Sequence, residues 1–315
     1  MTKISLSSPE RYLVLKSKAS SAVWKLLRLV ILIGLGFLII YPILYKLIVS
    51  FKSYSDFSDP TVIFLPKQLS LVGYKTVWET VNYPVSLLYS ILFCGIMSLL
   101  QMASCTLVGY GLARYPFRGR NLVFALVLLT MVIPPQAILF PLYLKFKFFD
   151  PFQFIALNGV LEGSSLINTP WPFVLLSSTC LGLKNGLYVY MMRQYFCNVP
   201  TSIEEAASID GCGHFRIFYR IMLPGARSML LTVFLFSFVW QWTDSYYSSM
   251  LAPNLPTLNM KLFGMTEQLI ASHGNIASNL LESPQFLLLI VPLIILYLFT
   301  QRYFVEGIER SGIVG

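Results

Sequence analysis

Two ionisable side chains stand inside long apolar runs: Lys184, in "GLKNGLY", and Asp244, in "WQWTDSYY". An ion at mid-bilayer costs about 2.5 to 3.5 kcal/mol on insertion scales, so each needs water, a partner or a polar solute beside it. The chemistry on offer is recognition. Trp240 and Trp242 carry flat rings on which the apolar face of a solute can stack, and an Asp or Gln oxygen accepts hydrogen bonds from a solute's donors. Two residues apart, these Trp side chains cannot share one helical face. Gln136, in "VIPPQAILFPLY", and Asn185, next to Lys184, are further candidates for the wall of a solute pathway. Other readings stand beside this one. The run holding Asp244 ends early and leaves it in an outer aromatic belt with Trp240, Trp242, Tyr246 and Tyr247. Lys184 pairs with Asp244 across a bundle, contacts the solute, or begins a helix shifted toward the cytoplasm. Gly182 and Gly186 permit either a break or a close helix crossing there.

Bond-breaking chemistry finds no equipment. His214 and His273 fall in opposite polar regions, and no H-E-x-x-H or Ser/His/Asp arrangement occurs, so neither a metal nor a catalytic site is expected. The five cysteines, 94, 105, 180, 197 and 212, form no Cys-x-x-Cys pair and read as small packing residues. No G-x-x-x-x-G-K-[ST] is present, so the chain has no backbone cradle for nucleotide phosphates. It is expected to bind no cofactor and to be no enzyme in its own right.

The elements that must position these residues are membrane helices. Of 315 residues, 56% are hydrophobic and 12% charged, against roughly 25% charged in a soluble domain. Six windows approach the roughly 20 apolar residues that cross a bilayer: 29 to 50, 85 to 113, 121 to 143, 170 to 192, 228 to 250 and 285 to 301. The expected fold is an all-α polytopic membrane protein of six transmembrane helices. The first run is too long for a signal peptide and lacks a small-residue cleavage site, so it reads as a retained anchor. Pro134, Pro135 and Pro141 should kink the third span, and Ser283 with Pro284 should mark the start of the last.

With the N-terminus inside, the segments 1 to 28, 114 to 120, 193 to 227 and 302 to 315 hold 15 Lys and Arg residues, and the outer segments hold 6. That bias favours cytoplasmic termini. It also accounts for the net charge of +9 without nucleic-acid binding. The domain reading is a cytoplasmic segment 1–28, a six-helix domain 29–301 and a cytoplasmic tail 302–315.

One inner loop, "SIEEAASIDGCGHFRIFYRIMLPG" from Ser202 to Gly225, is longer and more ordered than a connection needs to be. Ser202 to Glu205, or Thr201 to Glu204 one residue earlier, has the form of a capping box. Ile203, Ala206 and Ala207 give the helix one small apolar face. Gly211 and Gly213 then bend the chain. A second segment follows, with Phe215, Phe218, Tyr219 and Met222 at helical spacing and Arg216 and Arg220 on a different face, ended by Pro224 and Gly225. A two-turn helix is marginal alone in water, so it docks on a soluble partner or lies on the lipid surface.

The loop reads E-A-A-x3-G-x9-I-x-L-P through Glu205, Ala206, Ala207, Gly211, Ile221, Leu223 and Pro224, which resembles the EAA signature of permease subunits in binding-protein-dependent ABC importers. "GYGLARYPFRGR" at Gly109 to Arg120 and the tail "QRYFVEGIERSGIVG" resemble the carbohydrate-uptake branch, near the smaller permease of the maltose transporter. The resemblance spans nearly the whole chain. It implies that the 200–225 loop is a coupling helix between the fourth and fifth spans, docking by Glu204, Glu205, Ala206, Ala207, Asp210 and Gly211 on a cytoplasmic ATPase. It further implies a second homologous permease, two ATPase subunits that use ATP and Mg, and an external sugar-binding protein. That protein would dock on outer loops such as 51 to 84, whose Trp78, Tyr83 and Pro84 suit simple packing equally. A rival reading is an ion-gradient-driven secondary transporter, which would need paired acidic sites and repeats; one intramembrane acid and no repeat are found. An intramembrane enzyme lacks its catalytic set.

Overall fold

The computed structural model describes residues 8–149 and 165–312. Residues 150–164, the first seven residues and the last three lie outside that description, as does the side chain of His273. All helices are numbered among the described residues. They divide between two compact units, Met1–Lys75 with Asn275–Leu287 and Thr76–Gly274 with Leu288–Gly315.

In the first unit, α1 (Ser8–Val49) contains the apolar stretch Val23–Val49 and passes through Pro42 without ending. Beyond it, α2 (Tyr54–Ser58) starts with a complete capping box, Ser53 Oγ accepting from the Asp56 N–H and the Asp56 carboxylate from the Ser53 N–H. Lys52, buried, donates to the carbonyls of Val62 and Ile63 at 2.9 and 3.0 Å and so ties down the loop that follows. Asp59 takes hydrogen bonds from Lys67 and Thr61, which hold its carboxyl well below the usual range. The helix α3 (Val72–Thr80) then leads out of this unit.

The second unit is built on α4 (Tyr83–Arg114). Pro84 falls in its first turn, where the missing N–H has no intrahelical acceptor to lose. Three of the expected spans are broken. The third divides into α5 (Arg120–Val132) and α6 (Pro135–Lys147), bent by 101° where Pro134 and Pro135 interrupt the ladder; Pro141 stays inside α6. The fourth, expected as one helix from 170 to 192, is α7 (Trp171–Ser178) and α8 (Asn185–Asn198), parted by a turn in which Cys180 and Lys184 have φ of 61° and 58°. After α8 come α9 (Ser202–Ile209) and α10 (His214–Ile217), a wider π-type turn at Phe218–Met222 and the short Leu223–Gly225 segment. The fifth span is α11 (Arg227–Thr243), which meets that segment at 75° and stops before Asp244; α12 (Tyr246–Leu251) follows.

The last helix, α13 (Leu258–Gly312), corrects an expectation: Ser283 and Pro284 do not begin it. Gly73 of the same unit packs closely against Pro284, where a Cβ would lie 2.9 Å from the proline Cγ. By length and apolarity three described helices can cross a membrane, five if each bent pair is one span.

Glycine sets two of the helix crossings. A Cβ on Gly109 of α4 would fall 2.6 Å from the Met192 Cβ of α8, and one on Gly186 of α8 would fall 2.8 Å from the Val127 carbonyl of α5. Close approach of this kind substitutes for hydrophobic driving force between membrane helices. Around it Cys105, Tyr110, Tyr188, Met192, Phe196, Met229 and Val233 form a shared core with the inward residues of the 202–225 loop.

Candidate functional site

The loop is joined to the bundle by its first helix. Neither capping box forms: Thr201 is the N-cap of α9 without a side-chain bond. Glu204 turns inward instead, accepting from the Tyr110 hydroxyl at 3.1 Å and lying 3.4 Å from Arg114 Nε. Arg114 also donates to the Val199 carbonyl at 2.7 Å. The end of α4 therefore grips both the start of α9 and the strand of chain before it. A buried guanidinium is a stronger partner than a backbone N–H, and that decides where Glu204 goes.

Ala207 is 6% exposed and belongs to the core, whereas Ala206, Ile203, Glu205 and Asp210 are exposed. The single face expected of Ile203, Ala206 and Ala207 is thus divided. Ile209, at 87% exposure, adds a large apolar side chain that the sequence reading had passed over. Gly211 closes the helix at φ 78°, with the Cys212 N–H on the Ala207 carbonyl at 2.9 Å and the Gly211 N–H on that of Ser208 at 3.0 Å. This paired closure requires the left-handed region, open to glycine at no steric cost. Glu205, Ala206, Asp210 and Gly211 remain on the outer surface.

The second segment is divided too. Phe218 packs on Tyr110 with ring centroids 4.7 Å apart, and Met222 is buried. Phe215 and Tyr219 are exposed, and together with His214, Arg216 and Arg220 they line a shallow concavity. Arg216 and Arg220, expected on a face away from the aromatics, each follow one of the exposed aromatics by a single residue and line the same concavity. Tyr195 braces the far end, donating to the Gly225 carbonyl at 2.6 Å. Tyr110, Arg114 and Tyr195 carry no role in the sequence reading, although the first two lie inside the Gly109–Arg120 patch.

The candidates for a solute pathway do not converge. Gln136 is exposed, one residue into α6 beyond the bend. Asn185, 6% exposed, is a pin inside the bundle, its Oδ1 accepting from Gln101, which also donates to the Leu183 carbonyl and accepts from Ser237. Trp242 is 3% exposed and donates to the Leu289 carbonyl at 3.1 Å, so its ring meets protein. Trp240 is 44% exposed, as expected of two Trp side chains on different faces. Asp244 does not pair with Lys184. Its carboxylate caps α12, accepting from the backbone N–H groups of Tyr247 and Ser248 at 3.2 and 2.9 Å and from the Ser248 hydroxyl. Lys184 instead begins α8, with its Nζ 4.8 Å from the Trp240 ring centroid. Gln101, buried at the join of α4, α8 and α11, was the polar residue missed. No cluster of three metal-ligating side chains occurs among the described residues.

A bundle of broken membrane helices carrying a structured loop keyed into its core defines a multi-pass membrane protein of transport type. The chain belongs to the family described as binding-protein-dependent transport system inner membrane component, which matches residues 106–310. It is 27% identical over 284 residues to the arabinooligosaccharides transport system permease protein AraQ of Halalkalibacterium halodurans, covering 89% of this chain and 93% of that one. It is 28% identical over 286 residues to the maltodextrin transport system permease protein MalD of Streptococcus pneumoniae, covering 89% and 92%. Its fold is similar to a chain in the crystal structure of a bacterial ABC transporter involved in the import of the acidic polysaccharide alginate, with a TM-score of 0.68, 20% identity, and coverage of 90% and 98%.

Proposed function

We propose that this chain is one of two permease subunits of an ATP-driven, binding-protein-dependent importer of sugars or oligosaccharides. The observation that carries the reading is the division of α9. One side, Glu204 and Ala207, is built into the bundle through Tyr110 and Arg114; the other, Ile203, Glu205, Ala206, Ile209 and Asp210, has no partner among the described residues. A short helix fixed on one side and bare on the other transmits force from whatever grips it. In this reading the gripping partner is a cytoplasmic ATPase, two copies of which burn ATP with Mg while this chain binds neither. The carbohydrate class rests on the named relatives.

Membrane crossing follows the same reading. α7 and α8 together make the fourth, broken span and bring the count to six, the termini are cytoplasmic as the 15-to-6 bias of basic residues favours, and the outer loops face a sugar-binding protein. The test uses the assembled importer in proteoliposomes. Ala206→Arg and Ile209→Glu, both on the bare side, should abolish substrate-stimulated ATP hydrolysis and uptake while the chain inserts normally. Wild-type uptake by both variants rejects the coupling role. Ala207→Arg is the wrong probe, since it would disturb the core before it reached a partner.

A further inference from the structure

The break between α7 and α8 puts a charged side chain where hydrocarbon is expected. Lys184 precedes the 14 residues of α8, and Trp240 lies 13 residues beyond Arg227, the first residue of α11. At about 1.5 Å per residue both stand roughly 20 Å from the loop-side ends of their helices, inside a hydrocarbon core about 30 Å thick. An ammonium at that depth is too costly against lipid, so it faces the interior of the assembled bundle, where a polar solute pathway can reach it. Its contact in this structure is the Trp240 ring, and among the described residues no carboxylate lies within ion-pair distance of it. The backbone that presents it is fixed. Lys184 sits in the left-handed region at φ 58°, its carbonyl accepts from the Leu187 N–H at 3.0 Å, and the adjoining Asn185 is pinned by Gln101.

We propose that Lys184 and Trp240 form a saccharide subsite selective for sugars that carry a carboxylate, such as uronic acid residues. This rests on the importer reading above. The indole offers an exposed apolar face for the ring, and the ammonium, now lying over that indole, is free to swing onto the carboxylate. A charge-assisted hydrogen bond to an anion outweighs a cation–π contact at an exposed ring. A neutral sugar would take only ordinary hydrogen bonds from the ammonium to its hydroxyls, a smaller gain than a carboxylate makes.

The experiment compares uptake of oligogalacturonides and of malto-oligosaccharides by the complete importer in proteoliposomes with its binding protein. Lys184→Gln should lower oligogalacturonide uptake about tenfold or more, the loss of one hydrogen bond to a charged group, and leave malto-oligosaccharide uptake within about twofold. Lys184→Arg, which keeps the charge, should restore most of the loss, a result that a mere folding defect would not give. Trp240→Leu should weaken uptake of both. The proposal is overturned if the wild type moves only neutral saccharides, or if Lys184→Gln moves oligogalacturonides as the wild type does. Should no saccharide of either kind move with ATP, the importer reading itself fails.

Discussion

The apolar stretch of α1 and the helix α4 are similarly apolar, yet of the most apolar 18 residues of each none is buried within this chain in the first and 44% are in the second. Hydropathy therefore says that a helix enters the membrane and little about what it meets there. The difference lies in small and hydroxyl-bearing residues. α4 buries Ser86, Ser90, Ser98, Gln101, Ser104, Thr106 and Gly109, with Ser104 reaching the Ser177 carbonyl at 2.7 Å and Ser90 accepting from the Leu258 N–H at 2.6 Å. Along α1 the exposed residues are mostly Leu, Ile and Val, and Gly34 and Gly36 have open space where a Cβ would stand. In lipid, small residues and interhelical hydrogen bonds hold helices together, whereas large aliphatic ones are equally content with acyl chains.

This contrast can be broken in four places. Arg114→Met removes the partner of Glu204 and of the Val199 carbonyl; it should cost about 3 kcal/mol, near the low end for a broken buried pair because Glu204 still reaches water. Thermal unfolding in detergent would show it. Gly109→Val forces α4 from Met192 and should cost about 2 kcal/mol by overpacking, with lower yield of folded chain. Gly211→Ala meets no neighbour, so its penalty of about 1 kcal/mol is purely that of a left-handed alanine. Faster proteolysis between α9 and α10 would report it. Ile33→Leu on α1 should change stability by less than about 0.5 kcal/mol; a larger loss would mean that α1 is buried by another chain.

The sequence showed most plainly what local chemistry decides. Pro134 and Pro135 do break the third span, Gly211 does turn the chain, and Gly182 and Gly186 mark both a break and a crossing, since backbone geometry at these residues needs no distant partner. What it hid depends on residues far along the chain. Glu204 forsakes a capping role because Arg114, some 90 positions earlier, is buried beside it. Asp244 looked like an intramembrane ion because its role as the cap of α12 appears only once α11 is seen to stop. Gln101 carried no signal, being one polar residue in an apolar run. Pro284 misled because a membrane helix can carry proline in its interior where neighbours satisfy the freed backbone groups.

The five-residue turn at Phe218–Met222 winds with one more residue per hydrogen-bonded loop than its neighbours. Excising one residue there would let the winding revert to the ordinary pitch and keep its bonds, and because the wide turn already absorbs that extra residue, what precedes it would keep nearly the same rotation against α11. A residue lost from the regular turns beside it finds no such slack and would swing the bare side of α9 round by about 100°, more than a quarter circle. Alignment in this loop is thus a separate quantity from stability, and a single missing residue could ruin the one without touching the other.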